Sequence, residues 1–143
     1  MNNKNVLIPL PSYGCDPSEV AIPWQFLGEN KLQITFATPN GNPAVADDIM
    51  LTGRNLGVLK SLLMARNDAV AAFNKMALSV EFNNPIKYKN IRSDDFDALL
   101  LPGGHDKGVK EYLESSILQS LIVDCFLKNK PVAAICHGVL LPA

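Results

Sequence analysis

Two hydrophobic rhythms alternate along this chain. Positions 6–10 (Val6, Leu7, Ile8, Pro9, Leu10) form a short, nearly unbroken apolar run. Positions 32–37 alternate apolar and polar residues and are rich in strand formers. Both predict strands. A third strand is predicted over 96–101, which closes on Leu99, Leu100 and Leu101. A fourth is predicted over 132–135 (Val132, Ala133, Ala134, Ile135), opened by Pro131 and read as buried on both faces of a parallel sheet. The segment 11–17 reads as a loop.

Helical spacing fills the gaps between these runs. Asp16 can cap a helix, Pro17 suits its first position, and Glu19 sits where a capping-box acid reaches back. This helix would carry Val20, Ile22, Trp24, Phe26 and Leu27, end near Gly28, and bend at Pro23. A second helix is predicted over 109–128, with Ile117, Leu118, Leu121, Ile122, Cys125 and Phe126 as its apolar face. Between the second and third strands, Leu56, Leu59, Leu62, Leu63 and Met64 have helical spacing, as do Val70, Phe73, Met76 and Ala77. They predict a helical insert over about 46–90, either a cap over one end of the sheet or an ordinary packing layer. The order strand, helix, strand, insert, strand, helix, strand predicts an α/β doubly wound, mostly parallel sheet. Ligands of such sheets bind beyond the carboxyl ends of the strands.

Composition narrows the function classes. The 143 residues read as one domain, 1–143; 48% are hydrophobic and 19% charged, which suits a packed globule. The net charge of -1 comes with no basic run, so nucleic acid is not an expected partner. No apolar run reaches the roughly 20 residues that span a bilayer, and the first residues do not form a secretory signal. Three cysteines without paired spacing suit reduced thiols in the cytoplasm better than disulfides. No CxxC, HExxH or Cys/His cluster points to zinc, so no metal is expected.

The candidate chemistry sits where the fourth strand stops, at Cys136-His137-Gly138. Apolar Val139, Leu140 and Leu141 come next and could open a helix. A strand, a sharp turn and a helix form a nucleophile elbow, which lifts a thiol above the strand end. The helix dipole beneath would favour the thiolate, and the neighbouring imidazole could take the proton. Cys136 could equally be a buried structural thiol. After the third strand, Gly103 and Gly104 allow a loop to turn its N–H groups toward a ligand. Cys125 reads as core, and Cys15 as a thiol either near the pocket or on the surface.

Four segments together carry a resemblance: Ser18-Glu19-Val20-Ala21-Ile22-Pro23, Phe36-Ala37-Thr38-Pro39-Asn40-Gly41, Leu101-Pro102-Gly103-Gly104-His105 and Ala134-Ile135-Cys136-His137-Gly138. In that order they resemble the ThiJ/PfpI family, whose fold is flavodoxin-like and class I glutamine-amidotransferase-like. Leu51-Thr52-Gly53-Arg54 and Tyr112-Leu113-Glu114-Ser115 are similar to its larger members, including the branch with glyoxalase III and chaperone activity. The resemblance implies Cys136 as nucleophile, His137 as its partner, and Glu19 as the acid approaching the sulfur. It also implies an oxyanion hole from the amides of Gly104 and His137. Gly103 and His105 are assigned to substrate contact, His105 at the mouth of the site. Ala134 stands where a Gly-x-Cys-x-Gly pattern has glycine, which argues against a glutaminase. The chain ends at Pro142-Ala143, where family members continue with further strands, a closing helix and, in several branches, an acid that orients the histidine. Either a fragment of a longer polypeptide or a truncated, impaired product is therefore implied, and a fragment, incomplete at its C-terminal side, is expected.

The function implied is a cofactor-free, cysteine-dependent enzyme acting on a small carbonyl compound, or an amidase or peptidase built from the same parts. The alternative is a non-catalytic stress protein, either a holdase or a cysteine oxidation sensor. Family members usually self-associate, so the resemblance implies a homodimer, with no nucleic-acid or membrane partner.

Overall fold

The computed structural model describes residues 3–52 and 65–143. Its centre is strand β1 (Asn5–Pro9). This strand pairs in parallel with β3 (Gln33–Thr38) on one side and β6 (Ala98–Leu101) on the other. Strand β5 (Ile86–Lys87) lies beyond β3, and β7 (Val132–Ala134) lies beyond β6, both parallel. The register sets Val6 against Ile34 and Ala98, and Leu101 against Ala134. Apart from the two-residue β5, the strand order is the flavodoxin-like one.

Because side chains alternate along a strand, the central strands feed two cores. Val6, Ile8, Phe36 and Leu100 meet helix α1 (Pro17–Glu29) and, after the short helix α2 (Asp48–Thr52), α3 (Asn67–Met76) and α4 (Val80–Asn83). Leu7, Leu99 and Leu101 point the other way. They pack with α5 (Lys110–Leu113) and with Leu118, Leu121, Ile122 and Cys125 of α6 (Ser116–Leu127). Fully burying one such leucine is worth roughly 1.5–3 kcal/mol, so both layers are needed to hold the sheet. Phe36, Phe73 and Phe82 meet edge to face within the first layer. Among the described residues no helix is long and apolar enough to cross a membrane.

Several sequence expectations change. The strand over 132–135 is not buried on both faces: β7 is an edge strand and Ala133 is exposed. The helix over 109–128 is broken at Glu114–Ser115, where the Ser115 hydroxyl caps α6 by accepting from the Leu118 N–H. Ile117 and Phe126 of its expected apolar face are exposed, as are Ile22 and Phe26 of α1. The segment 11–17 is not all loop, since β2 (Tyr13–Cys15) pairs with β4 (Val45–Ala46) in a second, two-stranded sheet. The stretch 46–90 is not wholly helical, because it supplies β5 to the main sheet. Phe73 and Met76 are buried against α1, so α3 is a packing layer rather than a lid over the sheet end. The helical spacing at Leu56, Leu59, Leu62, Leu63 and Met64, and the Gly53-Arg54 pair, lie outside the described residues.

Chain direction positions the site. From β1 the sheet grows outward to β3 and β5, then resumes on the other side with β6 and β7. The loops after β1 and β6 therefore leave toward opposite faces and open a crevice at the carboxyl ends. Gly138 closes the turn after β7 directly against β6. A methyl group there would lie 2.2 Å from the Leu101 carbonyl oxygen and 2.8 Å from that of Pro102. Both neighbours are backbone and cannot step aside cheaply. Gly138→Ala is expected to destabilise the chain by about 1–3 kcal/mol, as overpacking of a tight contact does. Urea unfolding measures this, and an unchanged midpoint would contradict the contact.

Candidate active site

The crevice is assembled from backbone first. The buried Asp16 caps α1, its carboxylate accepting from the N–H groups of Ser18 (2.7 Å) and Glu19 (3.2 Å). The Asp16 N–H itself donates to the Gly103 carbonyl at 3.1 Å, and the Gly103 N–H donates to Glu19 Oε2 at 2.7 Å. The capping-box expectation for Glu19 is thereby corrected. The N–H it would reach back to is occupied by β6's loop, and its carboxylate turns across the crevice instead. Two hydrogen bonds thus tie the loop after β1 to the loop after β6.

The third wall is the elbow. Ile135 N–H donates to Leu101 O at 2.9 Å, keeping the end of β7 beside β6. Cys136 then takes a left-handed conformation, φ 51°, unusual for a residue with a side chain. Such strain persists where surrounding contacts impose it, and it clusters at functional sites. From there the chain runs into a 3₁₀ turn, Cys136–Leu140, rather than the opening of an α-helix. Gly103 fits directly beneath. A methyl group there would fall 2.7 Å from the His137 nitrogen, 2.9 Å from that of Gly138 and 3.0 Å from Glu19 Oε2.

The electrostatics differ from the sequence expectation of a stabilised thiolate. Although Cys136 as a residue is exposed, its thiol is held above the ordinary cysteine value. The first cause is desolvation of the sulfur, and the second is its hydrogen bond to the Glu19 carboxylate. The negative charges of Glu19 and Asp16 add to this, and only the His137 amide works the other way. Desolvation and the two carboxylates at the crevice together outweigh the His137 amide. The resting group is therefore a thiol with two proton acceptors in reach, the Glu19 carboxylate and the His137 ring, whose Nδ1 lies 3.6 Å from the sulfur.

The structure brings Cys136, His137, Glu19, Gly103 and His105 together. His105 stands on the exposed loop after Gly104, its ring edge to face with that of His137, centroids 5.1 Å apart. Gly104 is placed differently from Gly103. Its α-carbon packs against β2, where a methyl group would lie 2.4 Å from Gly14 O. Cys15 is not a surface thiol: it is fully buried behind the crevice, next to Asp16, and burial with the adjacent Asp16 charge pushes it up to about 12. Cys125 is core, as expected. Sequence reasoning missed Asp16 as a second carboxylate of the site, one oxygen of which lies within 4.8 Å of a donor atom of Glu19 and of His105. The capping signal located it on the chain but said nothing about the crevice.

A parallel α/β sheet with a cysteine on a strained turn at a strand end, faced by a carboxylate and an imidazole, defines a flavodoxin-like domain with a cysteine elbow. The family model described as ThiJ/PfpI family-like matches residues 10–142, and the chain belongs to that family. An uncharacterized protein of Schizosaccharomyces pombe is 33% identical over 119 residues, 82% of this chain and 43% of that protein. The deglycase PfpI of Pyrococcus furiosus is 32% identical over 73 residues, 48% of this chain and 43% of that protein. Glyoxalase III from Candida albicans has the same fold, with a TM-score of 0.70 at 20% identity, over 96% of this chain and 59% of that one. The chain spans less than half the length of these two curated relatives.

If Glu19 holds the Cys136 proton in place, neutralising it should release that proton at lower pH. In Glu19→Gln the midpoint of the pH dependence of Cys136 alkylation by iodoacetamide is expected to fall. A midpoint that stays put or rises would show that the carboxylate does not govern the thiol.

Proposed function

We propose that the chain carries the nucleophilic cysteine of a cofactor-independent enzyme acting on small carbonyl compounds, of the glyoxalase III or deglycase kind. The observation that carries this reading is the Cys136 sulfur on a left-handed turn, 3.6 Å from His137 Nδ1 and facing the Glu19 carboxylate, which helps hold its proton. Membership of a family with glyoxalase III and deglycase relatives supports the substrate class.

These groups suffice for the chemistry. With a 2-oxoaldehyde such as methylglyoxal, the sulfur adds to the aldehyde carbon as its proton passes to the Glu19 carboxylate or the His137 imidazole. The aldehyde oxygen takes up a proton, giving a hemithioacetal. Moving the hydrogen of the former aldehyde carbon to the neighbouring carbon, through the same acid–base pair, converts it to the thioester of a 2-hydroxy acid. Water then cleaves the thioester, releasing the 2-hydroxy acid and restoring the thiol. No external oxidant or reductant is required, since one carbon is oxidised as its neighbour is reduced. The Gly104 amide, which makes no hydrogen bond within the described residues, is a candidate donor to the oxygen during addition. An amidase would use the same sulfur through an acyl-enzyme. The oxidation-sensor reading gains little here, because sensor cysteines are low-pKa thiolates and this thiol is shifted upward.

Cys136→Ser is expected to lower conversion of methylglyoxal to lactate by at least about 10³-fold, as loss of a nucleophile does. His137→Ala should cost roughly 10²–10⁴-fold, the range for general acid–base groups. Lactate formation measured on both variants checks this, and full turnover in Cys136→Ser would eliminate the reading.

A further inference from the structure

His105, Cys136 and His137 come from two loops and converge on one point. One donor atom from each lies within 4.8 Å of the others. Borderline-soft divalent ions favour this donor set of one thiolate and two imidazoles. The distances can be checked against known bond lengths. An ion about 2.3 Å from the sulfur and about 2.05 Å from nitrogen, with the two donors 3.6 Å apart, subtends an angle of about 110°, which is tetrahedral. The two rings give a second, separate check. Two imidazoles bound to one tetrahedral ion have centroids roughly 5 Å apart, and those of His105 and His137 are 5.1 Å apart at 88° between planes. The widest donor pair, at most 4.8 Å, must close by no more than about 1.5 Å to reach tetrahedral spacing. Rotation of the exposed His105 side chain can supply that.

We propose that His105, Cys136 and His137 form a three-ligand site for Zn²⁺, with the fourth position open to water or to the nearby Glu19 carboxylate. Binding exchanges the thiol proton for the ion: the S–H bond breaks, a sulfur–zinc bond forms, and one proton is released to solvent. Because Cys136 and His137 are also the proposed nucleophile and its partner, the bound ion switches the site off by masking the sulfur. Metal binding itself does not depend on the carbonyl reading; only the inhibition does. His105 thereby acquires a role beyond lining the mouth, as the ligand that turns an adjacent Cys-His pair into a chelate.

The test uses this chain freed of metal by chelator dialysis, with Co²⁺ as the visible probe and Zn²⁺ as competitor. One equivalent of Co²⁺ is expected to produce a thiolate-to-cobalt charge-transfer band and tetrahedral visible bands, both erased by one equivalent of Zn²⁺. Cys136→Ser should abolish the charge-transfer band. His105→Ala and the polar His105→Gln, both at an exposed loop position, should each weaken Zn²⁺ at least tenfold, the least that loss of even an outer-shell partner typically costs. Circular dichroism checks that they fold. Zn²⁺ should also protect Cys136 from iodoacetamide in the parent chain and not in the His105 variants. A charge-transfer band surviving Cys136→Ser, or an affinity change below tenfold in both His105 variants, would overturn the site. Absence of Co²⁺ binding alongside lost turnover in Cys136→Ser would overturn the metal site alone and leave the carbonyl chemistry standing.

Discussion

The contact on which the rest depends is the close backbone approach of the β6 loop to its two neighbours. Gly103 gives its carbonyl to the Asp16 N–H and its own N–H to Glu19 Oε2, while its α-carbon lies beneath the nitrogens of His137 and Gly138. One residue without a side chain thus joins three strand ends. A side chain there would drive the elbow away from the first loop and separate sulfur from carboxylate. Gly138 completes the arrangement from the other side, against the last carbonyls of β6.

That packing sets the electrostatics. With Glu19 turned inward and Asp16 buried as a helix cap, the crevice carries two carboxylates within a few ångströms. The nearest sulfur, desolvated first and then facing these charges, holds its proton, in contrast to the low-pKa cysteines found above long helix N-termini. The same cluster, with a second imidazole across the gap, also has the donor geometry of a borderline-soft metal ion. Catalysis and inhibition by metal would then be alternative uses of one sulfur.

Sequence pattern alone located the first helix and four strands of the main sheet, β1, β3, β6 and β7, but not β2, β4 or β5. Val6, Ile8 and Leu7 alternate between two layers as their period requires, and Asp16 and Pro17 start α1 where the capping residues place it. It failed where position in the sheet, rather than composition, decides burial. Val132, Ala133 and Ala134 read as buried on both faces because they are apolar, yet Ala133 is exposed on one face of β7. The break at Ser115 was hidden because apolar spacing continues across it, whereas a capping hydroxyl restarts the helix there. The approach of His105 to His137 was likewise invisible, since the two meet only across two loops.

By itself, then, the sequence determined the α/β alternation, the family, and the contiguous Cys136-His137 pair that ends the fourth predicted strand, because these reside in local periodicity and contiguous motifs. Tertiary structure alone decided that Glu19 faces the crevice rather than its own helix cap, that the thiol keeps its proton, and that His105 joins the site. Each of these depends on distances between residues far apart in the chain. Those distances are set by the parallel registers that bring the carboxyl ends of β1, β6 and β7 together.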